Sequence, residues 1–254
     1  IIDPNVEPAH ISTATLNKQP VIVYSNGVSG VLKMSIWNGL TWRRTTIDGA
    51  GGTNRTSDES TSPISLCISG NGTSQKLHMF YADSVDKDLR YAVYDGKKVT
   101  VEIVDGNGPE INKYEDPNRV RTASDVSVSN ACVVTPAGIQ VFYRDESQGV
   151  LLGAFKLNTS SKWVYEQLDG DRKTDGRTTG DVAFHLAAGF DGKKTYVLYD
   201  SVLVINQKKE ATSGAIRLAT RTDIDPTKWV YRTLEESSDS LAMTGYDIAI
   251  SVTT

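Results

Sequence analysis

The residues best suited to chemistry in this chain are arginines that recur at one place in a repeated pattern. Arg121-Thr122 precedes Asp125-Val126, and Arg177-Thr178 precedes Asp181-Val182 at the same offsets. Arg55-Thr56 occupies the corresponding stretch before Ile64, and Met243-Thr244 stands before Asp247-Ile248. A guanidinium holds an anionic, keto or phenol oxygen through forked hydrogen bonds. Two uses are open. In the structural one, each Asp caps backbone amides in a turn and each Arg pairs with a nearby carboxylate. In the functional one, Arg121 and Arg177 form a catalytic pair that polarises a substrate oxygen, with Arg55, Thr122 and Thr178 as ligand contacts. Tyr114 and Tyr246 lie in the same long connections and supply ligand-packing surface. Met243 in place of arginine fits one asymmetric site better than a ring of equal joints.

Other chemistries find no support. The histidines are His10, His78 and His185, and no two have the spacing of a metal motif. No Gly-x-Ser-x-Gly elbow or phosphate-binding loop occurs, and no carboxylate pairing predicts glycoside hydrolysis. The Ser-x-Asp-x-Gly-x-Thr-Trp box of sialidase propellers is missing as well. No metal and no cofactor is therefore expected.

The elements that must position these residues repeat end to end. An apolar strand ending in tyrosine recurs at Tyr24, Tyr81, Tyr143 and Tyr199, at spacings of 57, 62 and 56 residues. A later strand of each repeat spans Trp42 to Ile47, Val99 to Val104, Trp163 to Leu168 and Trp229 to Leu234, and the first three run into Asp-Gly. Alternation in steps of two is plain in Leu77, Met79 and Tyr81 against His78 and Phe80. A period of this size built from short strands predicts a single all-β propeller of four-stranded blades over residues 1–254. The repeats cover about 8–60, 61–124, 125–180 and 181–246, with a closing strand at 247–254. Five first strands accompany four sets of the other three, so Ile248–Thr253 is expected to pair with the first blade and close the ring. Four blades is the simplest count, and five follows if the termini build a blade together. The loop Asn206–Gly214 reads as an insertion. His185, on a first strand, faces either the core or the axial channel and joins the ligand-contact set. The repeated tryptophans are expected to fill the space between blades.

Net charge of −4 excludes the basic stripe that nucleic acid requires, and no apolar run is long enough to cross a bilayer. The partner is thus a small molecule or a glycan. Sequons at Asn54, Asn71 and Asn158 lie in Gly/Ser/Thr-rich loops, and the chain opens at Ile1, as a trimmed product would. A secreted glycoprotein is the expectation. Cys67 and Cys132 read first as two buried thiols, and a disulfide between them stays open because sequence does not supply the Cβ proximity it needs.

Phe80-Tyr81-Ala82-Asp83, Leu89-Arg90-Tyr91-Ala92 and Tyr94-Asp95-Gly96 resemble a blade of the fungal fucose-specific lectins over roughly residues 8–254. The resemblance implies a sugar site in each blade, built from an arginine, a glutamate and an aromatic platform, with Arg90 and Arg217 in the arginine's role. No glutamate repeats at a fixed offset in this reading, so the chain repeats its scaffold and not its site. Some fungal biosynthetic propellers similar to this scaffold catalyse hetero-Diels–Alder coupling of tropolone sesquiterpenes. Such chemistry needs an apolar cleft and oxygen-polarising donors. The leading expectation is accordingly one pocket for a partly apolar molecule, in a cofactor-free catalyst. The alternative is a glycan-binding lectin with sites between blades.

Overall fold

The computed structural model describes residues 2–4, 6–108, 121–171, 174–179, 181–205, 211–222, 225, 228–237 and 248–252. Within them the strands form four antiparallel sheets of four. The first holds β1 (Pro8–Leu16), β2 (Gln19–Asn26), β3 (Leu32–Trp37) and β4 (Trp42–Asp48). The second holds β5 (Ser60–Ser69), β6 (Lys76–Asp83), β7 (Leu89–Tyr94) and β8 (Val99–Asp105). The third holds β9 (Asn130–Thr135), β10 (Gly138–Asp145), β11 (Val150–Leu157) and β12 (Trp163–Asp169). The fourth holds β13 (Val182–Phe190), β14 (Thr195–Ile205), β15 (Ala211–Arg221) and β16 (Val230–Ser237). Each sheet is a simple meander, and the all-β, four-bladed propeller expected from the repeat is borne out.

Local chemistry sets the hairpins. Leu16 pairs with Gln19 across Asn17 and Lys18, whose φ values of 51° and 64° are those a two-residue type I′ turn requires. Asn38 and Asp95 accept two backbone amides each through Oδ1 and so fold the turns between third and fourth strands. A register shift between third and fourth strands recurs in every sheet, near the start of the third strand at Leu32/Lys33, Leu89/Arg90 and Leu151/Leu152 and midway along β15 at Ile216/Arg217. One extra residue there bends each outer strand as it leaves the sheet.

The first strands β1, β5, β9 and β13 pack side by side in that order. Small polar side chains stitch them together. Ser12 donates to the Ile64 carbonyl at 2.6 Å, Asn130 to Pro63 at 2.9 Å and Ser129 to Ala183 at 2.6 Å. The apolar core lies between sheets rather than within one, as three clusters that each span two neighbouring blades. Trp163 packs on Phe80 and Tyr91, and Trp229 on Phe142. Trp163 and Trp229 thus fill blade joints as expected, whereas Trp37 and Trp42 pack on each other within blade one.

Three sequence expectations need correction. Residues 248–252 carry no strand and are not paired with β1. Their Ile250 and Val252 side chains instead reach Gly189 of β13, where an added Cβ would stand 3.1 Å from Val252. The segment leans on the last inner strand. Of the long loop 206–214, residues 211–214 belong to strand β15, which starts at Ala211 opposite β14 ending at Ile205; 206–210 lie outside the described residues. Finally, Cys67 and Cys132 are bonded. They face each other from adjacent inner strands, with Cα atoms 6.2 Å apart, so the fold supplies the proximity that spacing hid.

Candidate functional site

Each blade has two ends. The hairpin turns between first and second strands and between third and fourth share one end. The crossovers to the next blade share the other with the turns between second and third strands. At the crossover end the repeated Asp of the first three outer strands is fully buried. Asp48 accepts the amides of Gly49 and Thr56 through Oδ1, and the Tyr81 hydroxyl (2.6 Å) and Arg90 Nε (2.9 Å) through Oδ2. Asp169 does the same with Gly170, Thr178, Tyr199 and Arg217. Asp105 accepts Gly106, Thr122 and the Tyr143 hydroxyl. In blade one Asp3 takes this part, receiving the Tyr24 hydroxyl and Lys33. Every repeated tyrosine thereby clasps an acid that precedes its own blade. Burial first, and then the facing carboxylate, push the Tyr81 and Tyr199 hydroxyls well above the usual range. They remain donors at any working pH.

The candidates from sequence separate on this frame. Thr122 and Thr178 are buried, and their amides belong to the clasps. Arg121 donates to the Ile103 carbonyl and Asn107 at 2.8 Å and to the Tyr165 hydroxyl at 3.2 Å. Arg177 pairs with Asp171 at 3.1 Å and lies beside the Tyr231 ring. Tyr165 and Tyr231 occupy equivalent places, each donating at 2.7 Å to a carbonyl of the preceding outer strand, Val104 or Leu168. Of the two uses the sequence left open, the catalytic pair is not formed: Arg121 and Arg177 do not meet, and each braces its own joint between outer strands. Arg55 lies in the first crossover, its amide bonded to the Gly52 carbonyl. His185 stands on inner strand β13, half exposed, with Nδ1 2.9 Å from Asp200. Tyr114 and Tyr246 lie outside the described residues. Arg90 and Arg217, given the sugar-binding role by resemblance, are buried clasp members.

The hairpin end carries a second repeated arrangement, which the sequence reading missed. Glu102 and Glu166 both stand three residues into the outer strand, counting from Val99 and from Trp163. Glu166 receives Arg221 Nη1 at 2.7 Å and the Trp229 indole at 3.2 Å from the next blade. Arg221 lies over the Trp229 ring, 4.3 Å from its centre, and also donates to Gln140 at 2.8 Å. One joint earlier, Glu102 receives Lys156 and the Trp163 indole, and Lys156 lies over the Trp163 ring. A carboxylate, a cation and an indole thus meet in two successive joints. In the first two blades Thr45 takes the glutamate's place and Val99 the tryptophan's, so the trio is missing from that joint. The signal was available, at a fixed offset from the strand opening rather than from the arginine.

The two trios differ in exposure. Glu102 is 37% exposed, whereas Glu166 and Arg221 are buried. Burial raises the Glu166 carboxyl above its ordinary range against the pull of Arg221. Beside this buried pair, on the side of Gln140, opens a cavity of about 270 Å³. Phe190, Pro136 and Ala137 give it apolar walls, and Gln140, Thr195 and Thr222 give it polar groups. An apolar wall opposite amide and hydroxyl groups suits a small polyhydroxylated ring.

No protein-family model matches the chain, and no curated protein does. Among solved structures, the fucose-specific lectin of Aleuria aurantia is similar at 11% identity and a TM-score of 0.47, covering 92% of this chain and 62% of that one. An exo-β-1,3-galactanase from Phanerochaete chrysosporium is similar at 10% identity and a TM-score of 0.44, over 89% and 45% of the two chains. A GH43_1 enzyme from Xanthomonas citri gives 10%, 0.44, 91% and 75%. The chain spans less than two thirds of the length of the first two. At these values the propeller assignment stands on the sheets and their packing alone.

Proposed function

We propose that this propeller binds carbohydrate in the grooves between adjacent blades, at the hairpin end. The observation that carries the reading is the trio of carboxylate, cation and indole repeated in two successive joints, with a cavity adjoining the second. Sugar recognition needs hydroxyl-directed polar groups set by buried partners, together with an apolar face to pack against. Gln140, held by Arg221, and Phe190 supply the two. Repetition adds avidity, since individually weak sites on one scaffold combine when the ligand is multivalent. The one-pocket catalyst expected from sequence needs Arg121 and Arg177 on a single cavity, and they brace different joints.

A glycan array followed by calorimetry on the best-bound monosaccharide tests this. Gln140→Ala and Phe190→Ala are expected to weaken binding at least tenfold, about 1.4 kcal/mol or more, and Arg121→Ala to leave it unchanged. A protein inert on the array, or one whose binding is lost only in Arg121→Ala, sinks the proposal. We also infer a secretory route. A disulfide persists in oxidising compartments, and Asn54, Asn71 and Asn158 are all exposed. Mass spectrometry of protein from a eukaryotic secretory host should find glycans there; three bare asparagines would count against it.

A further inference from the structure

At the crossover end of blade two, Asp58, Asp83 and Asp86 bring one carboxylate oxygen each to within 4.8 Å of one another. Asp58 comes from the first crossover, Asp83 from the end of β6 and Asp86 from the turn that follows it. Like charges at this separation repel, so the arrangement needs a reason.

The repeat provides its own comparison. Matching backbone bonds fix the equivalences: Ser84 N to Glu59 O and Lys87 N to Asp83 O in one joint correspond to Glu146 N to Asp125 O and Gly149 N to Asp145 O in the next. Asp83 therefore corresponds to Asp145, Asp86 to Gln148 and Asp58 to Ser124. In the later joint Gln148 donates its side-chain amide to Asp145 Oδ2 at 2.8 Å, and Ser124 meets Thr122 hydroxyl to hydroxyl. One acid there is served by neutral donors. In the earlier joint both neutral residues are replaced by acids, which cannot donate when ionised.

The consequence falls on Asp83. It is fully buried, and its Oδ2 receives no hydrogen bond. Arg90 Nη1 lies 3.8 Å from that oxygen, beyond hydrogen-bond reach, while Arg90 Nε is committed to Asp48. A buried carboxylate oxygen without a donor, beside two further acids, lacks the compensation that burial of charge demands. A hard cation is what such a set of oxygens accommodates.

We propose that Asp58, Asp83 and Asp86 bind a calcium ion that pins the first crossover to the β6–β7 turn. Oxygen-only donors from two loops, one carboxylate buried and one exposed, match the flexible coordination of calcium better than the strict octahedron of magnesium. Histidine spacing gave no hint of it, because the ligands lie on two segments 25 residues apart in sequence. The site is separate from the hairpin-end grooves and does not depend on what they bind.

The test is calorimetric titration of chelator-treated, full-length protein with calcium chloride, with melting temperature read in parallel. Wild type should bind one calcium and melt higher with it than in chelator, with a smaller response to magnesium chloride. Asp86→Gln, which copies the neighbouring joint, should bind calcium at least tenfold more weakly and melt higher than wild type in chelator. No heat and no rise in melting temperature at millimolar calcium would overturn the proposal. So would an equal calcium response in wild type and Asp86→Gln.

Discussion

Asp48 is served at once by two backbone amides, a tyrosine and an arginine, and this shows how charge is tolerated between blades. Removing one neutral donor leaves the carboxylate compensated, whereas removing the guanidinium leaves it buried without its counter-ion. Tyr81→Phe should therefore cost about 1–2 kcal/mol and Arg90→Ala about 3–5 kcal/mol, measured by urea unfolding. Similar losses would mean that the pair contributes no more than a neutral bond. His78 offers a pH signature. Its ring is held between the Tyr91 and Ser69 hydroxyls, and burial, with Lys76 adding to it, lowers its pKa to about 4. The fold thus disfavours the protonated form, and below pH 6.5 the unfolded chain binds more protons. Stability should be full above about pH 6.5 and fall by about 3 kcal/mol as pH drops towards 4. His78→Asn should flatten that slope; an unchanged slope would assign it to other groups.

Strands were the most legible level. Period-two alternation and in-register Trp and Asp-Gly marks located the four blades, because each signal is local and repeated. What depends on neighbours across a joint was not legible. Cys67 and Cys132 sit 65 residues apart and meet only because β5 and β9 lie side by side. Arg121 and Arg177 repeat because joints repeat, and their partners Tyr165 and Tyr231 belong to the following blade. Glu102 and Glu166 lay within reach of the same strand alignment that found Trp163 and Trp229. The disulfide should hold blades two and three together against unfolding. Closing a loop of that length is worth about 4 kcal/mol in the chain-entropy model. Cys67→Ala/Cys132→Ala should lose a comparable amount in denaturant, and native protein should show no reactive thiol. Full stability in the double variant would deny the bridge a structural role.

Across the whole molecule, one pattern recurs at the joints: buried polar groups of one blade are met by side chains of the next. At the crossover end that pattern builds clasps, and in one joint a cluster of acids. At the hairpin end it builds paired glutamates and cations capped by indoles. The function proposed for this chain belongs to the hairpin end, where Gln140, held by the buried Arg221, lines a cavity. The measurement that bears most directly on this assignment is a crystal structure of the protein with the monosaccharide bound best on a glycan array. The sugar should lie in the third joint between Phe190 and the Gln140 and Thr222 side chains. A sugar seated against Arg121 or Arg177, or in the axial channel beside His185, would contradict it.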